Sequence, residues 1–117
     1  MATNQFTDKS GKQWVVVPAP RYIDGTQGQK LLDTVQELLE LGVLRVALNL
    51  ADTRVVNSIG ISRLVQVIEA FIKQNGAIAF CGPNNTIVKT LRIVGLLQKV
   101  HLVDSVEAAP EVLPPSS

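Results

Sequence analysis

"RVVNSIGISRL", residues 54–64, passes from apolar to polar and back to apolar around a glycine. Val55 and Val56 are β-branched and suit the end of a strand. Asn57 and Ser58 are helix-capping residues, because a short side-chain oxygen can accept one of the backbone N–H groups that a helix start leaves unpaired. Gly60 permits close backbone approach or an unusual dihedral. Leu64, Ile68, Phe71 and Ile72 then recur at helical spacing up to Asn75-Gly76. The stretch reads as strand end, tight loop and helix start, with an exposed serine at the junction.

The same grammar extends in both directions. Upstream, QWVVVP (residues 13–18) reads as a strand and Arg21-Tyr22-Ile23 as a second short one before Asp24-Gly25. Residues 26–41 carry Leu31, Val35, Leu38 and Leu39 at three- and four-residue spacing, and Gly42 follows as a C-terminal cap. VLRVALNL (43–50) is a nearly continuous apolar strand. Downstream, AIAFC (77–81) is a short buried strand, and Asn84 or Asn85 can cap a third helix bearing Val88, Leu91, Val94 and Leu97. Residues 100–103 give a last strand, DSVEAA a final helical turn, and EVLPPSS a tail. Strands alternating with helices predict an α/β sheet with parallel segments and three main helices on one face, the other face only partly covered.

Composition bounds the function. Hydrophobic residues make up 46% and aromatics 4%, so the core is aliphatic, and 11 basic against 10 acidic residues give a net charge of +1. No run of like charge provides a nucleic-acid footprint or a basic membrane patch. Cys81 is the single cysteine and His101 the single histidine, which leaves neither a disulfide framework nor a set of metal ligands. The polar opening lacks the pattern of a signal peptide, and no apolar run is long enough to span a bilayer, so the reading predicts a cytoplasmic protein without direct membrane insertion. A hydrolase nucleophile at Ser58 would need glycine two residues earlier, where Val56 stands, and a histidine partner. No Gly-rich phosphate loop follows a strand, and GPNN (82–85) reads as a turn.

What the junction suits is a charge switch. Helix-start N–H groups and the helix dipole favour negative charge, so the fold would tolerate a phosphate on Ser58 while the surrounding surface would gain close to two negative charges.

Element order and junction together resemble the STAS domain, specifically the bacterial anti-sigma-factor antagonists. The family pattern is an apolar strand, D-L-S-x-V-x-x-I-D-S-[ST]-G-[LI]-G, then a helix, and the matching stretch here is NLADTRVVNSIGIS, residues 49–62. Ser58 falls on the family's phosphoacceptor, Gly60 on its glycine and Ile61 on its large aliphatic. Asp24 falls where family members place an acid before the first helix, and Val88, Leu91, Gly95 and Leu96 continue the pattern. The chain departs from it at Asn49, Asn57, Ile59 and Ser62.

The resemblance implies a STAS-like small mixed sheet of 4–5 strands with three main helices packed on one face. The residues themselves predict a polar N-terminal segment over residues 1–12, one domain over 13–110 and a flexible tail over 111–117; the resemblance covers about residues 14–108. It further implies a binding protein without enzymatic activity or cofactor. Its partner would be an anti-sigma factor with serine kinase activity, which phosphorylates Ser58 and thereby releases it, with a phosphatase as resetting partner. Asp24, Asn57, Ser58, Ile59, Gly60 and Ile61 are the implied partner-binding residues. The alternative is an unphosphorylated STAS scaffold of a signalling complex or a cytoplasmic accessory subunit of a membrane transporter.

Overall fold

The structure, a computed structural model, describes residues 4–113. Five strands form the main sheet: β1 (Asn4–Thr7), β2 (Gln13–Pro18), β4 (Arg45–Asn49), β6 (Ala77–Cys81) and β7 (His101–Val103), in the order β1-β2-β4-β6-β7. β1 runs antiparallel to β2 and the other pairs are parallel, so the sheet is mixed. Two further strands, β3 (Tyr22–Ile23) and β5 (Val55–Val56), pair parallel in a separate two-stranded sheet. The helices are α1 (Gly25–Glu40), α2 (Ser58–Lys73), α3 (Asn85–Ile93) and the single turn α4 (Ala109–Val112), with a 3-10 turn at Leu96–Gln98.

Successive strand residues point to opposite faces, and the two faces are built differently. Val15, Val17, Val46, Leu48, Ile78 and Phe80 face one way and pack against Leu31 and Val35 of α1, Leu64, Ile68 and Phe71 of α2, and Ile87 and Leu91 of α3. The three main helices therefore lie on one face, as the periodicity predicts. The other face carries Trp14, Val16, Ala47, Ala79, Cys81 and Val103, closed by Ala109 and Leu113. Alanines at two central positions leave a floor on which the Trp14 indole reaches edge-on toward His101, ring centroids 6.2 Å apart at 70°.

Two boundaries differ from the sequence reading. The polar segment assigned to residues 1–12 contains β1, whose Phe6 stacks on Trp14 with centroids 6.0 Å apart. An edge strand needs apolar contact at few positions, so a polar sequence can form one. Between β1 and β2, the buried Asp8 carboxylate accepts from Trp14 Nε1 at 2.8 Å, from Ser10 N and Oγ, and from Lys12 N. The tail assigned to 111–117 is packed as far as Leu113, which is buried and whose carbonyl accepts from Lys9 N at 3.2 Å. Residues 114–117 lie outside the described residues.

Candidate functional site

The β3–β5 pair brings two helix starts together. β3 leads directly into α1 and β5 into α2, and their parallel pairing matches Ile23 with Val56. Asp24 and Asn57 thus become neighbouring N-caps: Asp24 Oδ1 accepts from Gln27 N at 2.8 Å, and Asn57 Oδ1 accepts from Gly60 N at 2.8 Å. The Asn57 N–H donates to Ile23 O at 3.1 Å, which ties the second cap to the strand that carries the first. The loop before β5 is pinned by Thr53, a buried residue whose hydroxyl donates to Pro20 O at 2.8 Å.

Each residue singled out by sequence has a definite place here. Ser58 is the first residue of α2 and is exposed, and among the described residues its hydroxyl makes no hydrogen bond. The capping oxygen belongs to Asn57. Asp24 and Asn57 are exposed, and Ile59 is 55% exposed. Gly60 is buried and offers no surface to a partner. A Cβ there would stand 2.1 Å from Ile23 O, so only glycine lets α2 start this close to β3. Ile61 is half-buried against the helical-face core. Four of the six residues therefore form the surface and two position it.

The structure adds residues that sequence reasoning missed. Tyr22 and Val55, paired in register across β3 and β5, are 57% and 52% exposed, so with Ile59 the strands and helix start that carry the two caps bear uncovered hydrocarbon. Gly25 and Gly28 on α1 allow α2 to approach. A Cβ at Gly25 would lie 3.0 Å from Ile59 Cγ2, and one at Gly28 would lie 2.7 Å from Arg63 Cβ. Glycines three apart in one helix turn were the available signal for that approach.

Neither of the remaining reactive side chains meets the serine. His101 sits on edge strand β7 in register with Ala79, on the sheet face opposite α2, and burial lowers its pKa. Cys81 is fully buried, and burial, with a smaller effect from the charge of Glu107, pushes its thiol up to about 11. Among the described residues no group of three or more His, Cys, Asp or Glu could hold a metal ion, and no helix is long and apolar enough to cross a membrane. The surface at Ser58 is exposed and mixed apolar and polar, and among the described residues the hydroxyl has no partner.

Similar architecture occurs in solved structures. TM1081 of Thermotoga maritima, assigned as an anti-sigma factor antagonist, superposes with a TM-score of 0.75 at 18% identity, over 93% of this chain and 92% of that one. The Bacillus cell fate determinant SpoIIAA in its phosphorylated form gives 0.67 at 16% identity, over 95% and 99%. A sulfate transporter family protein from Wolinella succinogenes gives 0.62 at 13% identity, over 84% and 80%. No curated protein sequence matches significantly. At these identities the likeness is one of fold, shared by regulators and transporter domains alike. The sequence model of the STAS domain matches residues 6–109, from the second half of β1 through β7 and the three main helices, and the chain belongs to the STAS domain family.

Proposed function

We propose that this STAS domain is a regulatory binding protein of the anti-sigma-factor-antagonist type, docking through the surface around Ser58 and released by phosphorylation there. The observation that carries this reading is the exposed Ser58 at the first position of α2, whose hydroxyl has no partner among the described residues while Asn57 supplies the cap. A phosphate at that position sits on the positive end of the helix dipole, so the fold accepts it. The same phosphate sets close to two negative charges among Tyr22, Val55 and Ile59. A partner whose apolar surface covers those side chains then meets a desolvation cost and loses affinity.

The partner under this reading is an anti-sigma factor with serine kinase activity, and a phosphatase restores the binding form. No step needs a cofactor or a catalytic group of this chain. A pull-down with the full chain, followed by phosphosite mass spectrometry, identifies the partner and the modified residue. Calorimetric titration of that partner then compares variants. Ser58→Ala retains binding, and Ser58→Asp folds but binds at least about tenfold more weakly, the effect of roughly 1.4 kcal/mol. Equal affinities for the two would remove Ser58 as the switch.

One observation favours a second reading. Ile59 stands where the family pattern has a hydroxyl, is more than half exposed, and packs beside Gly25. An apolar residue there suits a contact that is never released, as in a scaffold subunit or a transporter accessory domain. Absence of phosphate on Ser58 in native material, together with stable co-purification of a transporter or scaffold, selects it.

A further inference from the structure

Charge is distributed unequally along the chain that builds the helical layer, although α2 itself carries both signs (Arg63, Glu69 and Lys73). From Ala70 to Val103 the chain carries Lys73, Lys89, Arg92 and Lys99 and no carboxylate, whereas the segment from Asp24 to Leu44 sets Asp24, Asp33, Glu37 and Glu40 against Lys30 alone. α1 links β2 to β4 and α3 links β6 to β7, so the two helices flank α2 on opposite sides of one layer. Helices joining parallel strands run antiparallel to them, which puts the C-termini of α1 and α3 at the same end of the molecule, away from Ser58.

Each of these two helices ends in uncovered hydrocarbon. Leu41, the C-cap of α1, is 80% exposed, one turn beyond the exposed Glu37 and next to Glu40. Ile93, the last residue of α3, is 84% exposed, one turn beyond the exposed Lys89 and next to Arg92. A single exposed leucine is ordinary. Two matched corners, one apolar with an acidic rim and one apolar with a basic rim, on opposite flanks of one molecule, are complementary. The acidic corner also runs against local helix stability. α1 has no basic residue in its last turn, and Glu37 and Glu40 face the negative end of the helix dipole, where carboxylates are disfavoured. Glu40 shares the groove between α1 and α2 with Lys73, whereas Glu37, on the exposed side of the helix, is left for cations that arrive from outside the chain.

We propose that copies of this chain associate side by side, the acidic corner of one (Glu37, Glu40, Leu41) docking on the basic corner of the next (Lys89, Arg92, Ile93). The two patches are different, so the contact is heterologous and can repeat along a row. Such a row leaves every Ser58 surface open on one side, about the 24 Å length of a 16-residue helix away from the contact. The association is independent of the switch proposed above. It is weak and salt-sensitive, because the corners are small and their charges are screened within roughly 10 Å at ordinary ionic strength.

Analytical ultracentrifugation of the full chain tests this, from about 10 μM to about 1 mM. The weight-average mass of the wild type rises with concentration at low salt and returns to that of a monomer near about 500 mM salt. E37K/E40K and K89E/R92E, exposed substitutions that keep the folded circular dichroism spectrum, are each monomeric alone. Their equimolar mixture restores the rise, because each supplies the charges the other lacks. A wild-type mass that stays monomeric across the range overturns the proposal, as does a mixture that fails to associate or association that survives in either variant. Capture of a monomeric wild type by phosphatidylserine vesicles, lost in K89E/R92E, would likewise overturn it and give the basic corner to an anionic membrane surface.

Discussion

Asn57 Oδ1 accepts from the Gly60 amide, whereas the Ser58 hydroxyl has no partner among the described residues, and two adjacent polar residues therefore respond differently to truncation. Asn57→Ala is expected to cost about 1 kcal/mol in urea unfolding, the usual loss of an N-cap. Ser58→Ala is expected to stay within about 0.5 kcal/mol of wild type, because it removes no bond and alanine favours helix. A loss at Ser58 as large as that at Asn57 would show that the hydroxyl shares the capping. Gly60→Ala is the severe change: its Cβ would meet Ile23 O at 2.1 Å, and the backbones of β3 and α2 must part, at about 3 kcal/mol or more. In sequence, Asn57 and Ser58 were equally good caps, since local composition does not say which residue leaves the helix. Gly60 was legible as a special position, but not its neighbour, because Ile23 lies far back in the chain. For the same reason Gly60 was placed on the partner surface when it is buried under it.

At the scale of elements, the strands with continuous apolar runs were legible: Gln13–Pro18 and Ala77–Cys81 have the bounds their sequence suggests, because burial on both faces demands hydrophobic residues at every position. Elements whose stability comes from elsewhere were less legible. Val55 and Val56 were read as a strand end, but not that β5 is two residues long and exists through its pairing with β3; β1, which escaped, is a polar edge strand held by Phe6 on Trp14 and by the Asp8 turn. That turn has a pH signature. Burial alone would raise the Asp8 carboxyl, but hydrogen bonds from Trp14 and Ser10 side chains and from the Lys12 and Ser10 amides outweigh it and hold the pKa at about 2, below the ordinary 3.8. A carboxyl lowered on folding binds fewer protons folded than unfolded, so its stabilisation is full above about pH 4 and is lost as pH falls toward 2. Asp8→Asn should therefore flatten the acid limb of the stability curve between about pH 4 and pH 2, while lowering stability at neutral pH. Trp14 fluorescence in urea at a series of pH values measures both, since the indole is itself the partner of the carboxylate. An acid limb identical in the two proteins would mean that the turn does not couple to folding.

For the whole molecule, the question raised by the two unequal sheet faces is whether they unfold together. The helical face is closed by two 16-residue helices and a nine-residue helix, whereas the opposite face is closed by Phe6, Trp14 and a C-terminal segment containing only the four-residue α4, which has no side-chain cap. So short a helix is not stable alone, and it holds its place through Ala109, Leu113 and one bond from Lys9 to the Leu113 carbonyl. Segments with few buried contacts open at a lower free energy than the domain unfolds. Cys81 reports on this. It is fully buried on the thinly covered face, at the end of a central strand, with its thiol pushed up to about 11, so a thiol reagent near neutral pH reaches it only after an opening. Detaching the C-terminal segment exposes far less surface than global unfolding, and the urea dependence of an opening scales with the surface it exposes. Labelling of Cys81 below the unfolding transition should therefore depend on urea much less steeply than the unfolding followed by circular dichroism. Leu113→Ala should speed labelling by more than its effect on global stability accounts for. A common urea slope for labelling and unfolding would mean that both faces and the single turn over them form one cooperative unit.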